Sequence, residues 1–134
     1  MPQAQDILGM NARNQDFVSQ TSALAKSIAN SKIASNLLLE QHGIPTPKIF
    51  GLFATPEDVH AFDWSSLTEN FVIKPTNGLA GKGVVVFRKK NPTKDIWADA
   101  LGRNWGLDEL KLHCFDILDG QYSRFGPQHN VIVQ

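Results

Sequence analysis

The chain has one cysteine, Cys114, among 134 residues. A single thiol cannot build an internal disulfide framework and fits a reducing, cytoplasmic setting. No apolar run approaches the ~20 residues of a membrane helix. The start, "MPQAQDILGM", has no basic stretch leading into a long apolar one, so neither signal peptide nor membrane attachment is expected. Charge of one sign is also missing: 13 basic and 13 acidic side chains cancel. No basic field exists to gather nucleic acid. His42, His60, His113 and His129 are scattered without ligand spacing, which argues against zinc. Repeats and low-complexity linkers are absent. The remaining composition, 42% hydrophobic and 19% charged, can bury the core of one domain or half of a larger one.

Residues 11 to 29 are polar and weakly helical, with Asn11 or Asn14 as possible caps, and make an N-terminal helical segment over 1–29. The main domain is expected over 30–134. "NSKIASNLLLEQHG" predicts a helix over 31–42, capped by Asn30 or Ser31 and ended by Gly43. "IPTP" stops it and hands the chain to a strand at 49–53. "TPEDVHAF" starts another helix, with Thr55 as cap, Pro56 at the first position, and Glu57 and Asp58 in the first turn. Strands are expected at 71–74 and 83–89. "GLDELKLHCFDILDG" predicts a helix over 107–119, with Leu107, Leu110, Cys114 and Leu118 on one stripe and Gly120 as its stop. A last strand, 131–134, runs to the end of the sequence with no turn signal after it, so the chain reads as cut there. The fold class is α+β: one mainly antiparallel sheet with helices on one face.

The stretch "FVIKPTNGLAGKGVVVF" (residues 71–87) carries the chemistry. Its connection is too long for a tight hairpin turn. It is not a Walker loop, because Gly81-Lys82 is followed by Gly83 and Thr76 stands where the first glycine belongs. Nor is it a dinucleotide fingerprint, because the glycines lead into a strand. A glycine loop between two strands remains. Its backbone N–H groups can approach phosphate oxygens, and Lys82 supplies a point charge. Lys74 closes an apolar strand, as an edge gatekeeper or as a charge aimed into a cleft. Lys32, in the first turn of its helix, opposes the helix dipole. A glycine loop without ligand and solvated lysines would explain each feature separately.

Together, "NSKIASNLLLEQHGIPTPKIFG" and "FVIKPTNGLAGKGVVVF" resemble the ATP-grasp superfamily. With "ILGMNARN" near the start and "LDELKLHCFDILDGQYSRFG" near the end, the closer resemblance is to the α-L-glutamate ligase-like group. That group is also called sugar-transfer-associated ATP-grasp. The resemblance covers nearly the whole chain and implies a carboxylate–amine ligase that phosphorylates a carboxylate to an acyl phosphate. It implies ATP as cofactor. Lys32 matches the first ATP lysine, and Lys74 the lysine reaching the α-phosphate and adenine edge. Gly78, Gly81, Lys82 and Gly83 match the loop over the β- and γ-phosphates. Val133 and Gln134 match the strand leading into the hinge whose backbone bonds adenine.

The departures limit what is expected. Relatives continue into a second subdomain with the Mg²⁺ ligands and an arginine near the acyl phosphate, so no catalytic or metal residue is assigned within this sequence. Ala80 stands where glycine is frequent, and Gln134 where an acid often lies. As given, the chain is expected to bind ATP without turning over, and to self-associate through a cut face. The alternative is a non-catalytic nucleotide- or protein-binding module that kept the half-fold. Neither the carboxylate nor the amine substrate is legible, and no role follows for Asn11, Arg13, Asn14, Tyr122 or Ser123.

Overall fold

The structure is a computed structural model that describes residues 9–78, 80–123 and 130–134, with the backbone alone at Lys89. The first eight residues of the expected N-terminal segment, Leu79 of the glycine loop, the closing "RFG" of the late tag, and His129 lie outside the described residues.

Three helices come first: α1 (Met10–Gln20), α2 (Ala23–Asn30) and α3 (Lys32–Gln41). Asn11 and Asn14 lie inside α1 and do not cap it; its cap position is Gly9, which has no side chain to offer. The other two starts follow ordinary capping chemistry. Ser22 Oγ accepts from Ala25 N–H at 3.1 Å, and Ser31 Oγ from Ala34 N–H at 3.2 Å. Gly43, at φ +70°, ends α3: its N–H donates to Glu40 and that of Ile44 to Leu39, at 3.0 and 2.9 Å.

Six strands form one sheet in the order β1-β6-β2-β3-β4-β5, with every neighbouring pair antiparallel. They are β1 (Gly51–Phe53), β2 (Phe71–Pro75), β3 (Val85–Lys90), β4 (Ile96–Asp99), β5 (Asn104–Gly106) and β6 (Val131–Val133). The sequence predicts four of them and starts β3 two residues early, at Gly83. Gly83 and Val84 belong to the loop, since Gly83 has φ +74° and Val84 N–H turns back to Gly81 O at 3.2 Å. The missed hairpin, β4–β5, joins strands of only four and three residues, in which Ile96, Trp97 and Trp105 are mixed with the poor strand formers Ala98, Asp99, Asn104 and Gly106. It turns on Asp99, whose Oδ1 accepts from Leu101 and Arg103 N–H, both at 2.9 Å. Trp97 and Trp105 face each other across it.

Two further helices complete the chain. In α4 (Pro56–Ala61), Thr55 Oγ1 accepts from Asp58 N–H at 3.3 Å while Asp58 Oδ2 accepts from Thr55 N–H at 3.0 Å. In α5 (Leu107–Leu118), Glu109 Oε2 accepts from Gly106 N–H at 2.9 Å, and Gly120 at φ +80° ends the helix as expected.

Along β2, Phe71, Ile73 and Pro75 are buried and alternate with Val72 and Lys74, so two faces are defined by one strand. The buried face meets Leu110, Cys114 and Ile117 of α5 together with Phe87, Trp97, Val131 and Val133. Ile117 joins the expected stripe, whose ends Leu107 and Leu118 are partly buried against the same core. Large aromatic rings fill the core without stranding their polar atoms: Trp97 Nε1–H donates to Leu67 O at 3.0 Å, and Trp64 Nε1–H to Val59 O at 2.9 Å. Of the two helices expected over the sheet, α5 buries a face and α3 buries no residue. Instead, α3 meets the end of β2 through its first turn, where Lys32 N–H points at Thr76 O.

Candidate functional site

The opposite face of the sheet is partly open. Cross-strand partners share a face, so Leu52, Ile132 and Lys74 lie in one row across β1, β6 and β2, and Val72 with Val86 in the next. Ile132 is buried, whereas Leu52 and Val86 remain more than 40% exposed. The result is an apolar shelf with one ammonium group at its end. Lys74 is there because its strand alternates; no other placement keeps Phe71 and Ile73 in the core.

Lys32 arrives at the same end from α3. Its Nζ donates to Thr76 O at 3.3 Å and Gly78 O at 3.5 Å, the two carbonyls that begin the glycine loop. Burial pushes the Lys32 ammonium below its ordinary pKa, and the nearby Lys74 charge pushes it further. Burial also lowers Lys74, whose Nζ donates to Gln134 Oε1. Among the described residues the ion pairs are Lys90–Asp95 and Arg103–Glu109, so neither lysine of the shelf has a carboxylate partner. Two partly buried cations therefore lie near each other at one end of the shelf, an arrangement of perturbed titratable groups that marks a candidate site.

The glycine loop leaves β2 between these lysines. A Cβ on Gly78 would come within 2.6 Å of the Pro75 ring, so the chain needs glycine where it turns off the strand. Ala80 has φ 56°, a left-handed conformation that glycine adopts more cheaply. Gly81 and Lys82 are exposed farther along. The loop ends at Gly83, where a Cβ would meet Tyr122 ring carbons at 2.8 Å.

The structure thus brings Lys32, Lys74, Gly78 and the Gln134 side chain together and sets Gly81 and Lys82 in the loop beyond them. Val133 points the other way, fully buried in the core. The Gln134 backbone is engaged with Val72, N–H to O at 3.0 Å and O to N–H at 2.8 Å, while its Nε2 donates to Pro47 O at 3.0 Å. It is therefore the Gln134 carboxamide that faces the lysines. No group of three His, Cys, Asp or Glu side chains that could hold a metal ion occurs among the described residues.

Sequence reasoning missed His113. It is buried on α5, and its Nε2 lies 2.9 Å from Gly83 O, a carbonyl that can only accept. Nε2 therefore carries the proton. The ring contacts Trp105 and Tyr122, with centroids 5.7 and 5.5 Å away. Burial lowers its pKa, against smaller opposing effects of the Gly83 bond and Asp116. The available signal was its position between Leu110 and Ile117 on the buried stripe, where a histidine needs a polar partner.

Comparison with curated proteins and with solved structures returns no match. The family model described as sugar-transfer associated ATP-grasp matches residues 12–134, nearly the whole chain, including both shelf lysines, the glycine loop and the last strand. By that match, and in keeping with its antiparallel α+β architecture, the chain belongs to the sugar-transfer associated ATP-grasp family.

Proposed function

We propose that the chain binds ATP on this shelf as the ATP-binding portion of a glutamate ligase-like carboxylate–amine ligase acting through an acyl phosphate. One observation carries the reading: Lys32 and Lys74 converge, without a counter-ion, at the start of a glycine loop on an apolar sheet face. The apolar shelf suits a purine ring, and the lysines suit the phosphates attached to it. Lys74 is held at a strand end, so its charge is positioned before ligand arrives. Lys32 exchanges two long bonds to carbonyls for shorter charge-assisted bonds to phosphate. Gly78, Gly81 and Gly83 allow loop N–H groups to approach the β- and γ-phosphates, with Lys82 as a mobile charge. Gln134 lends its carboxamide beside Lys74, on the strand that Val133 anchors in the core.

Phosphoryl transfer needs positioning and charge neutralisation more than a protein nucleophile, which matches a site of lysines and backbone amides. ATP-grasp enzymes generally take ATP with Mg²⁺, and no group of three His, Cys, Asp or Glu side chains among the described residues could hold that ion. A cytoplasmic setting is part of the same proposal.

Titration calorimetry tests it. The chain is expected to bind ATP in roughly the high micromolar to millimolar range, because one sheet face supplies one wall of a cleft. Sub-micromolar affinity of the monomer, or equal binding by the parent and Lys74→Ala, would sink the reading.

A further inference from the structure

We propose that His113, backed by Tyr122, is a positioning residue for the glycine loop, fixing its exit at Gly83 so that the loop amides face the shelf. This rests on the ATP-binding reading above. The two ends of the loop are held differently. At its start, Lys32 Nζ reaches Thr76 O and Gly78 O over 3.3 and 3.5 Å, contacts that a phosphate would displace. At its exit, the buried His113 Nε2–H donates to Gly83 O over 2.9 Å.

Gly83 is held from a second side. Its α-carbon sits so close to Tyr122 that an added Cβ would lie 2.8 Å from ring carbons. A carbonyl bond and a ring contact together define both the position and the rotation of one peptide unit. The support behind them is rigid. His113 is only 7% exposed on α5 and lies against Trp105, which in turn packs edge-on to Phe87 of β3 at 5.5 Å. The loop exit is thereby tied to the helix that carries the core as well as to its own strand. A glycine at φ +74° has little preference of its own for this conformation, so the restraint must come from outside. Because the carbonyl can only accept, either the Nε2–H neutral ring or the imidazolium makes the bond. The anchor is not a pH switch.

The experiment compares tryptic cleavage of the Lys82–Gly83 bond, read by mass spectrometry, with cleavage after exposed Lys94 and with the thermal midpoint. His113→Ala is expected to speed cleavage at Lys82 roughly tenfold while leaving Lys94 unchanged, since the scissile segment must leave its site to be cut. His113→Gln, whose amide can still donate to Gly83 O, is expected to restore protection to within about twofold. Tyr122→Leu should loosen the same bond without removing a donor, and it decides the matter with His113→Gln if His113→Ala does not fold.

Calorimetry on the same proteins should show ATP binding weakened roughly threefold to tenfold by His113→Ala and recovered by His113→Gln. Unchanged cleavage at Lys82 in His113→Ala and Tyr122→Leu overturns the proposal. So does a uniform rise at Lys82 and Lys94 that His113→Gln fails to rescue, which would make His113 a core residue only. ATP affinity indifferent to His113→Ala overturns the positioning role. If the parent chain binds no ATP while the cleavage pattern holds, the ATP reading falls and the anchored loop exit stands.

Discussion

Lys32 donates twice to Thr76: its backbone N–H lies 3.5 Å and its ammonium 3.3 Å from the same carbonyl oxygen. The first turn of α3 is thereby hooked onto the end of β2, and the Lys32 charge is delivered beside Lys74 by main-chain geometry. Lys74 is placed by strand alternation, with its ammonium donating to Gln134 Oε1, and lies at the end of the shelf.

That difference ranks the lysines. A well-placed charge-assisted contact to phosphate is worth ~1.5–3 kcal/mol. Lys74→Ala should therefore weaken ATP binding by roughly tenfold to a hundredfold. Lys32→Ala should cost less, because it also releases the Thr76 and Gly78 carbonyls for other donors. Lys82→Ala should alter affinity least of the three, since ordering an exposed side chain offsets its gain. Lys94→Ala, in a solvated turn, is the control. Calorimetry that returns equal losses at all four would indicate a diffuse field and remove the individual assignments.

Ala80 is the one described non-glycine residue at positive φ. A left-handed conformation costs an L-residue with a Cβ ~1–2 kcal/mol, whereas glycine brings extra unfolded-state entropy that offsets part of the relief. Ala80→Gly should leave stability within about 0.5 kcal/mol of the parent, and Ala80→Val should lower it by about 1–2 kcal/mol through its branched Cβ. Urea unfolding measures both. A Val variant as stable as the Gly variant would mean that the loop does not hold this conformation in solution.

How far the sequence could be read follows from what each feature depends on. Ser31, Gly43, Thr55, Asp58 and Gly120 are local signals whose meaning is set within a turn or two, and the chain obeys them. Lys74 was legible too, because strand alternation assigns a face to every residue from its neighbours alone. The β4–β5 hairpin was not, since its strands are only four and three residues long and are joined by the Trp97–Trp105 pairing and the Asp99 turn, which no local run announces. The exposed leucines of α3 and the reach of His113 to Gly83 depend on where distant elements come to lie. No local pattern encodes them. Val133 and Gln134 are adjacent in sequence, and only the alternation of sides at the end of β6 separates a core valine from a carboxamide beside Lys74.

His113 sets a pH dependence of stability. Its folded pKa is lowered below the ordinary 6.5, so between those two values the unfolded chain binds more protons than the folded one. Stability should rise with pH through that window and fall as pH drops below about 6.5. Asp58 and Glu109, held below the ordinary carboxylate range by backbone N–H donors, contribute separately at lower pH. Urea midpoints from pH 4.5 to 7.5 should show the loss of stability on acidification, and His113→Gln should flatten the part nearest 6.5. A Gln variant with the full parental slope would contradict the assignment.

Cys114 should be silent to thiol reagents in the native state. It is fully buried against the sheet, and burial pushes its pKa up to about 12. The thiolate is the reactive form, so at pH 8 the folded protein should react with iodoacetamide at least ~100-fold more slowly than the chain in urea. Rapid native labelling would show that α5 lifts from the sheet far more often than its packing allows.

The placement of β6 has a consequence for synthesis. It is synthesised after the other described strands of this sheet, yet it lies between β1 and β2, pairing Val131 with both Phe53 and Pro75. Until residues 131–133 emerge, β1 has no strand beside it in this sheet, and the Lys74 row of the shelf lacks Ile132. Nascent chains halted before that point hold the β2-β3-β4-β5 ladder and a detached β1 segment, with unpaired backbone groups on both β1 and β2. Closure joins residues about 80 positions apart, a long loop whose entropy must be met before any ladder bond forms. The shelf is thus complete only once β6 slots between two strands that were made long before it.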